Sequence, residues 1–132
     1  MDDDTFSWRP AYRYIPGHNE RHAEGLFDEI KSSADGVALP QMQKTQAWNY
    51  AIAFLQEEYY WESHEVMESV WMACPPNSAE KLYVQSIIQR ANAGLKRKMG
   101  RMDAAEKLEL QADQLRDEAE RRKPAGMFVY FI

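Results

Sequence analysis

The residues best suited to chemistry are the imidazole and two carboxylates of the run His64-Glu65-Val66-Met67-Glu68, an HExxE motif. On a helix, His64 and Glu68 lie one turn apart on the same face, where imidazole and carboxylate can both bind a divalent metal ion. Two ligands do not complete a site. The only other histidines are His18 and His22, and His22 is the candidate for a third ligand. With such a third ligand, the motif would be compatible with a site for zinc, iron or manganese; the sequence alone does not identify a cofactor.

The spacing can be compared with the His-Glu-x-x-His helix of zinc proteases, in which both histidines hold the metal and the glutamate is the general base. Here Glu68 stands in the place of the second histidine, and Glu65 stands in the place of the base. A metal-dependent hydrolase with Glu65 as its catalytic residue is therefore one hypothesis. The sequence lacks the paired Glu-x-x-His motifs of di-iron carboxylate proteins.

A wider arc of the same predicted helix is aromatic at its edges, because Trp61 and Trp71 fall near His64, Glu65 and Glu68 at a period of about 3.6 residues. The segment is apolar on nearly every side, which is typical of a buried helix. A carboxylate in such a place needs a partner, because an isolated buried charge is costly. The arc predicts either a binding site or a buried hydrogen-bond network that fixes the helix in place.

Amide side chains recur along a later predicted helix. Gln85, Gln89 and Asn92 lie on one face of it, and amides can donate and accept hydrogen bonds at once. Lys96 follows them and is placed to neutralise either carboxylate of the motif. The short connection between the two helices predicts that they are antiparallel neighbours. The predicted pocket residues are Tyr14, His22, Trp61, His64, Glu65, Glu68, Trp71, Gln85, Gln89 and Asn92.

Three functions are compatible with these residues. The leading hypothesis is a small binding or scaffold domain, not an enzyme, whose polar pocket takes a small molecule or metal ion and is closed by the loop at residues 14–22. The second is the metal-dependent hydrolase. The third is a protein-interaction module that uses the basic residues near 96–101 or an apolar tail.

The elements that must position these residues are helical. We expect an all-α, single-domain bundle of about four to five helices over residues 1–132, with an extended, aromatic-rich lead-in at residues 1–22. The helical core is placed at residues 43–122. The apolar tail at residues 125–132 is expected to pack against the domain or against a second subunit in a homodimer, because an exposed apolar segment would associate non-specifically.

Sequence signals at helix ends give approximate boundaries. Asn77 with Glu80, and Asp103 with Glu106, have the spacing of a capping box. Gly100 is placed to end a helix, as glycine often does. The predicted helices cover residues 24–33, 43–56, 60–73, 77–100 and 103–124.

Composition narrows the class of protein. Acidic residues outnumber basic ones 21 to 16, and the excess lies in the first half of the chain, which argues against nucleic-acid binding. Cys74 is the only cysteine, so a disulfide within the chain is excluded and a reducing compartment is expected. The sequence has neither an apolar run of the roughly 18 residues that a membrane span needs nor a basic signal-peptide start. These features predict a cytoplasmic protein without a membrane segment.

The run from Tyr59 to Arg101 resembles the domain-of-unknown-function 309 family. Proteins of that family share the pattern Tyr-x-Glu-x-His-Glu-x-x-Glu-x-x-Trp, found here at residues 60–71, and a following helix with Ile-Ile-Gln, found at residues 87–89. The lead-in at residues 10–22 is similar to the N-terminal extension of the proteobacterial branch. This chain has Glu57-Glu58 where the family has a glycine. The resemblance implies a compact, all-helical fold of bacterial and archaeal cytoplasmic proteins, and it implies no activity.

Overall fold

A computed structural model describes residues 5–122, and within that range the fold is all-helical, as predicted. Two short helices precede four longer ones, so the described chain has more helices than the predicted four to five. No helix in this range is both long and apolar enough to cross a membrane. The predicted apolar tail and the predicted helix end at Pro124 lie outside the described residues. The helices are α1 (Asp28–Ser32), α2 (Leu39–Met42), α3 (Gln46–Gln56), α4 (Tyr60–Ala73), α5 (Ala79–Lys98) and α6 (Met102–Arg121).

Helix α4 has the predicted boundaries and packs between α3 and α5. Two prolines follow it closely, and a proline cannot continue a helix. Tyr60, at the start of α4, lies against Gly94 near the end of α5, whereas the Lys81 Nζ near the start of α5 lies 3.9 Å from the centre of the Trp71 ring. These contacts confirm that α4 and α5 are antiparallel neighbours.

The ends of α5 and α6 differ in part from the predicted caps. Ser78 caps α5 through its Oγ, which accepts a hydrogen bond from a backbone N–H of the first turn, whereas Asn77 has a φ of +61° in the left-handed region. Gly100, with a φ of +79°, follows α5 as predicted. The predicted cap at Asp103 is wrong, because α6 begins at Met102. Asp103 lies in the first turn instead, where the helix dipole stabilises its negative charge.

The segment before α3 is less helical than predicted. Helix α1 covers only Asp28–Ser32, because Gly25 has a φ of +84° and the residues around it form turns. Helix α2, Leu39–Met42, was not predicted; it is about one turn long, too short to show a periodic pattern. Helix α3 begins later than predicted because the Thr45 side chain caps it.

The described part of the lead-in, residues 5–22, contains no helix and lies across the connection between α3 and α4. The Trp8 ring packs edge-on against the Phe54 ring of α3, with their centres 6.5 Å apart. Arg9 donates two hydrogen bonds of 2.8 and 2.7 Å to the Glu57 carboxylate, and these bonds lower the pKa of that carboxyl group. Arg13 donates to the Glu57 carbonyl oxygen. These contacts direct the following residues, including His22, over the first turns of α4.

The turn between α3 and α4 contains the departure from the family pattern. Glu58 has a φ of +67°, a conformation that favours glycine. Its carboxylate lies 2.7 Å from the Lys98 Nζ at the end of α5. The turn thus keeps the left-handed geometry that a glycine would adopt, and the glutamate side chain adds an ion pair to α5.

Candidate functional site

Helix α4 has a buried face and a partly exposed face with different chemistry. Trp61 and Trp71 are half-buried at the margins, whereas Val66 and Val70 are fully buried. The helix was expected to be buried on nearly every side, but only the face with the valines is buried, and the arc with the tryptophans is partly exposed. The buried residues of α4 are Glu62, Ser63, Val66, Met67 and Val70.

Glu62 is the buried carboxyl group of this helix, and it pairs with His22. Its side chain is 0% exposed and that of His22 is 4% exposed. The His22 Nε2 lies 2.6 Å from Glu62 Oε2, and the Tyr14 backbone N–H donates to the same oxygen over 2.7 Å. One carboxylate oxygen thus fastens two points of the lead-in to α4.

Aromatic rings enclose this buried pair. The Tyr12 ring stacks on the His22 imidazole with centres 4.7 Å apart, and the Phe27 ring meets it edge-on at 5.6 Å. The Trp61 ring lies 5.9 Å away, tilted relative to the imidazole. The second oxygen of Glu62, Oε1, is buried and accepts no hydrogen bond from the described residues. Because His22 is committed to Glu62, the structure does not bring it to the HExxE motif.

The motif itself forms a compact group of potential metal ligands. His64, Glu65 and Glu68 each offer one ligand atom, and these atoms lie within 4.8 Å of one another. The side chains are partly exposed, at 20% for His64, 27% for Glu65 and 52% for Glu68. Among the described residues, this is the group of histidine and acidic side chains with spacing suitable for a metal ion. Two predicted metal ligands, His64 and Glu68, are therefore brought together.

The hydrogen bond of His64 determines which ring nitrogen can bind a metal. Its Nδ1 lies 2.9 Å from the Trp61 carbonyl oxygen, which can only accept, so Nδ1 carries the hydrogen. In the neutral imidazole, Nε2 then has a free lone pair. Nε2 lies 3.6 Å from Glu68 Oε2. Two acceptors that face each other in this way are best satisfied by a positive charge between them, either a proton or a metal ion.

Glu65 pairs with a residue that the sequence did not single out. The Lys31 Nζ of α1 lies 2.5 Å from Glu65 Oε2, and both side chains are about one-quarter to one-third exposed. Lys31, and not the predicted Lys96, therefore neutralises the Glu65 carboxylate. The basic residues of the α5 end have other partners: Arg97 pairs with Glu109, and Lys98 with Glu58.

An open groove between α4 and α5 begins at Glu68. It has a volume of about 370 Å³, and its mixed lining offers apolar surface as well as amide groups. Met72, which is 75% exposed, forms one wall. Asn92 lies one turn beyond the groove and donates to the Gln89 side-chain oxygen over 3.2 Å. The groove residues are Glu68, Trp71, Met72, Gln85, Ile88 and Gln89.

The residues predicted to line one pocket thus lie in three separate parts of the structure. Tyr14 and His22 flank Trp61 on the lead-in side, His64 and Glu65 join Glu68 in the ligand group, and the remaining residues line or adjoin the groove. Glu68 belongs to both the ligand group and the groove. Sequence reasoning missed Glu62 as a buried partner, although it lies four residues before Val66 on the valine stripe and within the family pattern.

Comparison with known proteins finds one family that is similar to part of this chain. None of the curated proteins and none of the solved structures matches the chain significantly. A family model described as "Domain of unknown function (DUF309)" matches residues 48–108, a range that contains all of α4 and α5. The resemblance seen in the sequence is confirmed over residues 48–108, the part of this chain that is similar to the DUF309 family.

Proposed function

We propose that this protein is a small binding domain that holds a divalent cation at His64, Glu65 and Glu68 and receives a ligand in the adjoining groove. The observation that carries the proposal is the position of His64 Nε2. Its lone pair faces the Glu68 carboxylate at 3.6 Å, and the hydrogen bond from Nδ1 to a backbone carbonyl fixes this orientation. A backbone partner on the second nitrogen is the usual support for a metal-binding histidine.

The spacing of the ligand atoms supports the same proposal. Two atoms bound to one ion at about 2.1 Å each can be at most about 4.2 Å apart. The 3.6 Å between His64 and Glu68 lies within that limit. The largest separation in the group, up to 4.8 Å, is close to it, so rotation of the partly exposed carboxylates is sufficient. Three ligands from one helix leave coordination positions open to solvent or to a bound molecule.

The groove supports a role in binding, because it offers both apolar contact and hydrogen bonds beside the ligand group. Trp71 and Ile88 provide the apolar surface, and Gln85 and Gln89 provide amide groups. This combination is typical of sites for small molecules. A ligand in the groove could reach a cation at Glu68, since that residue belongs to both places.

Hydrolysis with Glu65 as general base has less support. A general base must accept a proton, and Lys31 already donates to the Glu65 carboxylate over 2.5 Å. In the proposed site Glu65 is moreover a ligand of the cation, which engages a lone pair that a general base would use. Binding without catalysis is therefore the function that we propose.

Isothermal titration of the full chain with Zn²⁺ tests the proposal. We expect about one ion per chain for the unmodified protein and loss of binding in His64→Ala, with His18→Ala as the matched control because His18 is exposed and lies outside the ligand group. His64→Ala should cost only about 1 kcal/mol of stability, since among residues 5–122 its side chain bonds only to its own helix. Equal binding by His64→Ala and His18→Ala, or no binding by the unmodified chain, would overturn the proposal.

A further inference from the structure

We infer that Lys31 is a built-in competitor for the cation site, so that a divalent ion binds only by displacing the Lys31 ammonium group from Glu65. The inference rests on the proposed function, because it concerns the same three ligands. It assigns a role in selectivity to a residue of α1, which is 34 positions before Glu65 in the chain.

The contact between Lys31 and Glu65 is the basis of this competition. The ammonium nitrogen lies 2.5 Å from Glu65 Oε2, which is the distance of a strong charge-assisted hydrogen bond. A metal ion that takes Glu65 as a ligand needs a carboxylate lone pair and brings a second positive charge to the same group. Two cations so close to one carboxylate repel each other, so metal binding favours departure of Lys31.

The surroundings of Lys31 give the displaced side chain a place to go. It lies between two cavities, of about 200 Å³ and about 410 Å³. Glu65 and Trp61 also line the smaller cavity. Asp28, Asp35 and Ser69 also line the larger one. An ammonium group that swings from Glu65 into the larger cavity meets two other carboxylates there. The side chain is 30% exposed, so this movement does not disturb the core.

Two consequences follow from this arrangement. First, the ammonium group discriminates among cations, because a divalent ion that also binds His64 can replace it, whereas a sodium or potassium ion offers no more charge than the lysine itself. Second, metal binding is coupled to the contact between α1 and α4. By thermodynamic reciprocity, a bound cation weakens the contact between Lys31 and Glu65 by the same factor as that contact weakens cation binding.

Titration of Lys31 variants of the full chain with Zn²⁺ tests the inference. Lys31→Met removes the charge but keeps a long side chain, and we expect about two- to fivefold tighter Zn²⁺ binding, the gain that loss of a partly exposed ion pair allows. Lys31→Arg keeps the charge and should retain the affinity of the unmodified chain. Lys44→Met removes one positive charge from an exposed position outside the site and should also leave the affinity unchanged.

The outcomes separate this inference from the proposed function. If His64→Ala abolishes Zn²⁺ binding but Lys31→Met binds no more tightly than the unmodified chain, Lys31 does not compete and only the inference fails. If the unmodified chain and Lys31→Met both fail to bind Zn²⁺, both fail. Lys31→Gln provides the same test as Lys31→Met should the methionine variant fold poorly, and circular dichroism of each variant monitors folding.

Discussion

Removal of the His22 imidazole is expected to destabilise this protein strongly, although His22 lies outside every predicted and observed helix. In His22→Ala, Glu62 keeps only the hydrogen bond from the Tyr14 N–H, and its other oxygen already accepts none from the described residues. The Glu62 side chain cannot turn to water, because it is 0% exposed. The variant therefore leaves a buried carboxyl group with most of its hydrogen-bonding capacity unused.

The magnitude follows from this burial. Removal of one partner of a buried polar pair costs about 3–5 kcal/mol, and loss of the contact with the Tyr12 ring adds up to about 1 kcal/mol. Some of this cost is recovered where water enters the space left by the imidazole, so we expect about 3 kcal/mol. His18→Ala is the matched control, since His18 is exposed in the same lead-in and its loss should change stability by less than about 0.5 kcal/mol.

Urea unfolding followed by tryptophan fluorescence measures this difference. For a slope of about 2 kcal/mol per molar urea, the His22→Ala midpoint should fall by about 1.5 M. Glu62→Gln completes a double-mutant cycle, in which the two single changes should be non-additive by about 1–3 kcal/mol. A His22→Ala midpoint equal to that of His18→Ala, or additive effects in the cycle, would refute the argument that the pair fastens the lead-in.

Two further predictions concern packing and pH. A Cβ at Gly94 would lie 2.3 Å from the Tyr60 ring, so Gly94→Ala should lower the free energy of unfolding by about 1–3 kcal/mol, although alanine is the better helix former; a higher thermal midpoint would contradict the close contact. Burial raises the pKa of the Cys74 thiol from 9.0 to about 11, so the folded state is favoured by the neutral thiol below pH 9 and loses that advantage as the pH rises through 11. The unmodified chain should therefore lose about 2 kcal/mol more than Cys74→Ala between about pH 8 and 11 in urea titrations, and equal losses would exclude this effect.

The sequence predicted the long helices well because their signals are local. Helix α4 is bounded by a turn and by prolines, and the antiparallel pairing of α4 and α5 follows from their short connection. The short helices α1 and α2 carry no periodic pattern, since one turn shows at most one buried position. The cap of α5 was misplaced by one residue because Asn77 and Ser78 are both common capping residues, and only the backbone conformation decides between them.

The candidate site could be predicted only in part. His64, Glu65 and Glu68 were identified because all three lie within one turn of a helix, where spacing determines proximity. Lys31 and His22 could not be paired with their partners, because the contacts join residues 34 and 40 positions apart, and sequence spacing does not determine proximity over such separations. The partial exposure of one face of α4 was not predicted, because a helix that is apolar on nearly every side is expected to be buried. A large ring can lie at the margin of a core, whereas β-branched residues on one stripe mark its centre.

The two contacts between the N-terminal region and α4 differ in a way that bears on function. The pair of His22 and Glu62 is buried, so breaking it costs several kcal/mol. The pair of Lys31 and Glu65 is partly exposed, and such a pair contributes only about 0.2–1 kcal/mol. A divalent cation that gains His64 and Glu68 as further ligands can therefore displace Lys31 without releasing His22. Under the proposed function, helix α4 would bind and release an ion on its exposed face while its buried face keeps the lead-in in place.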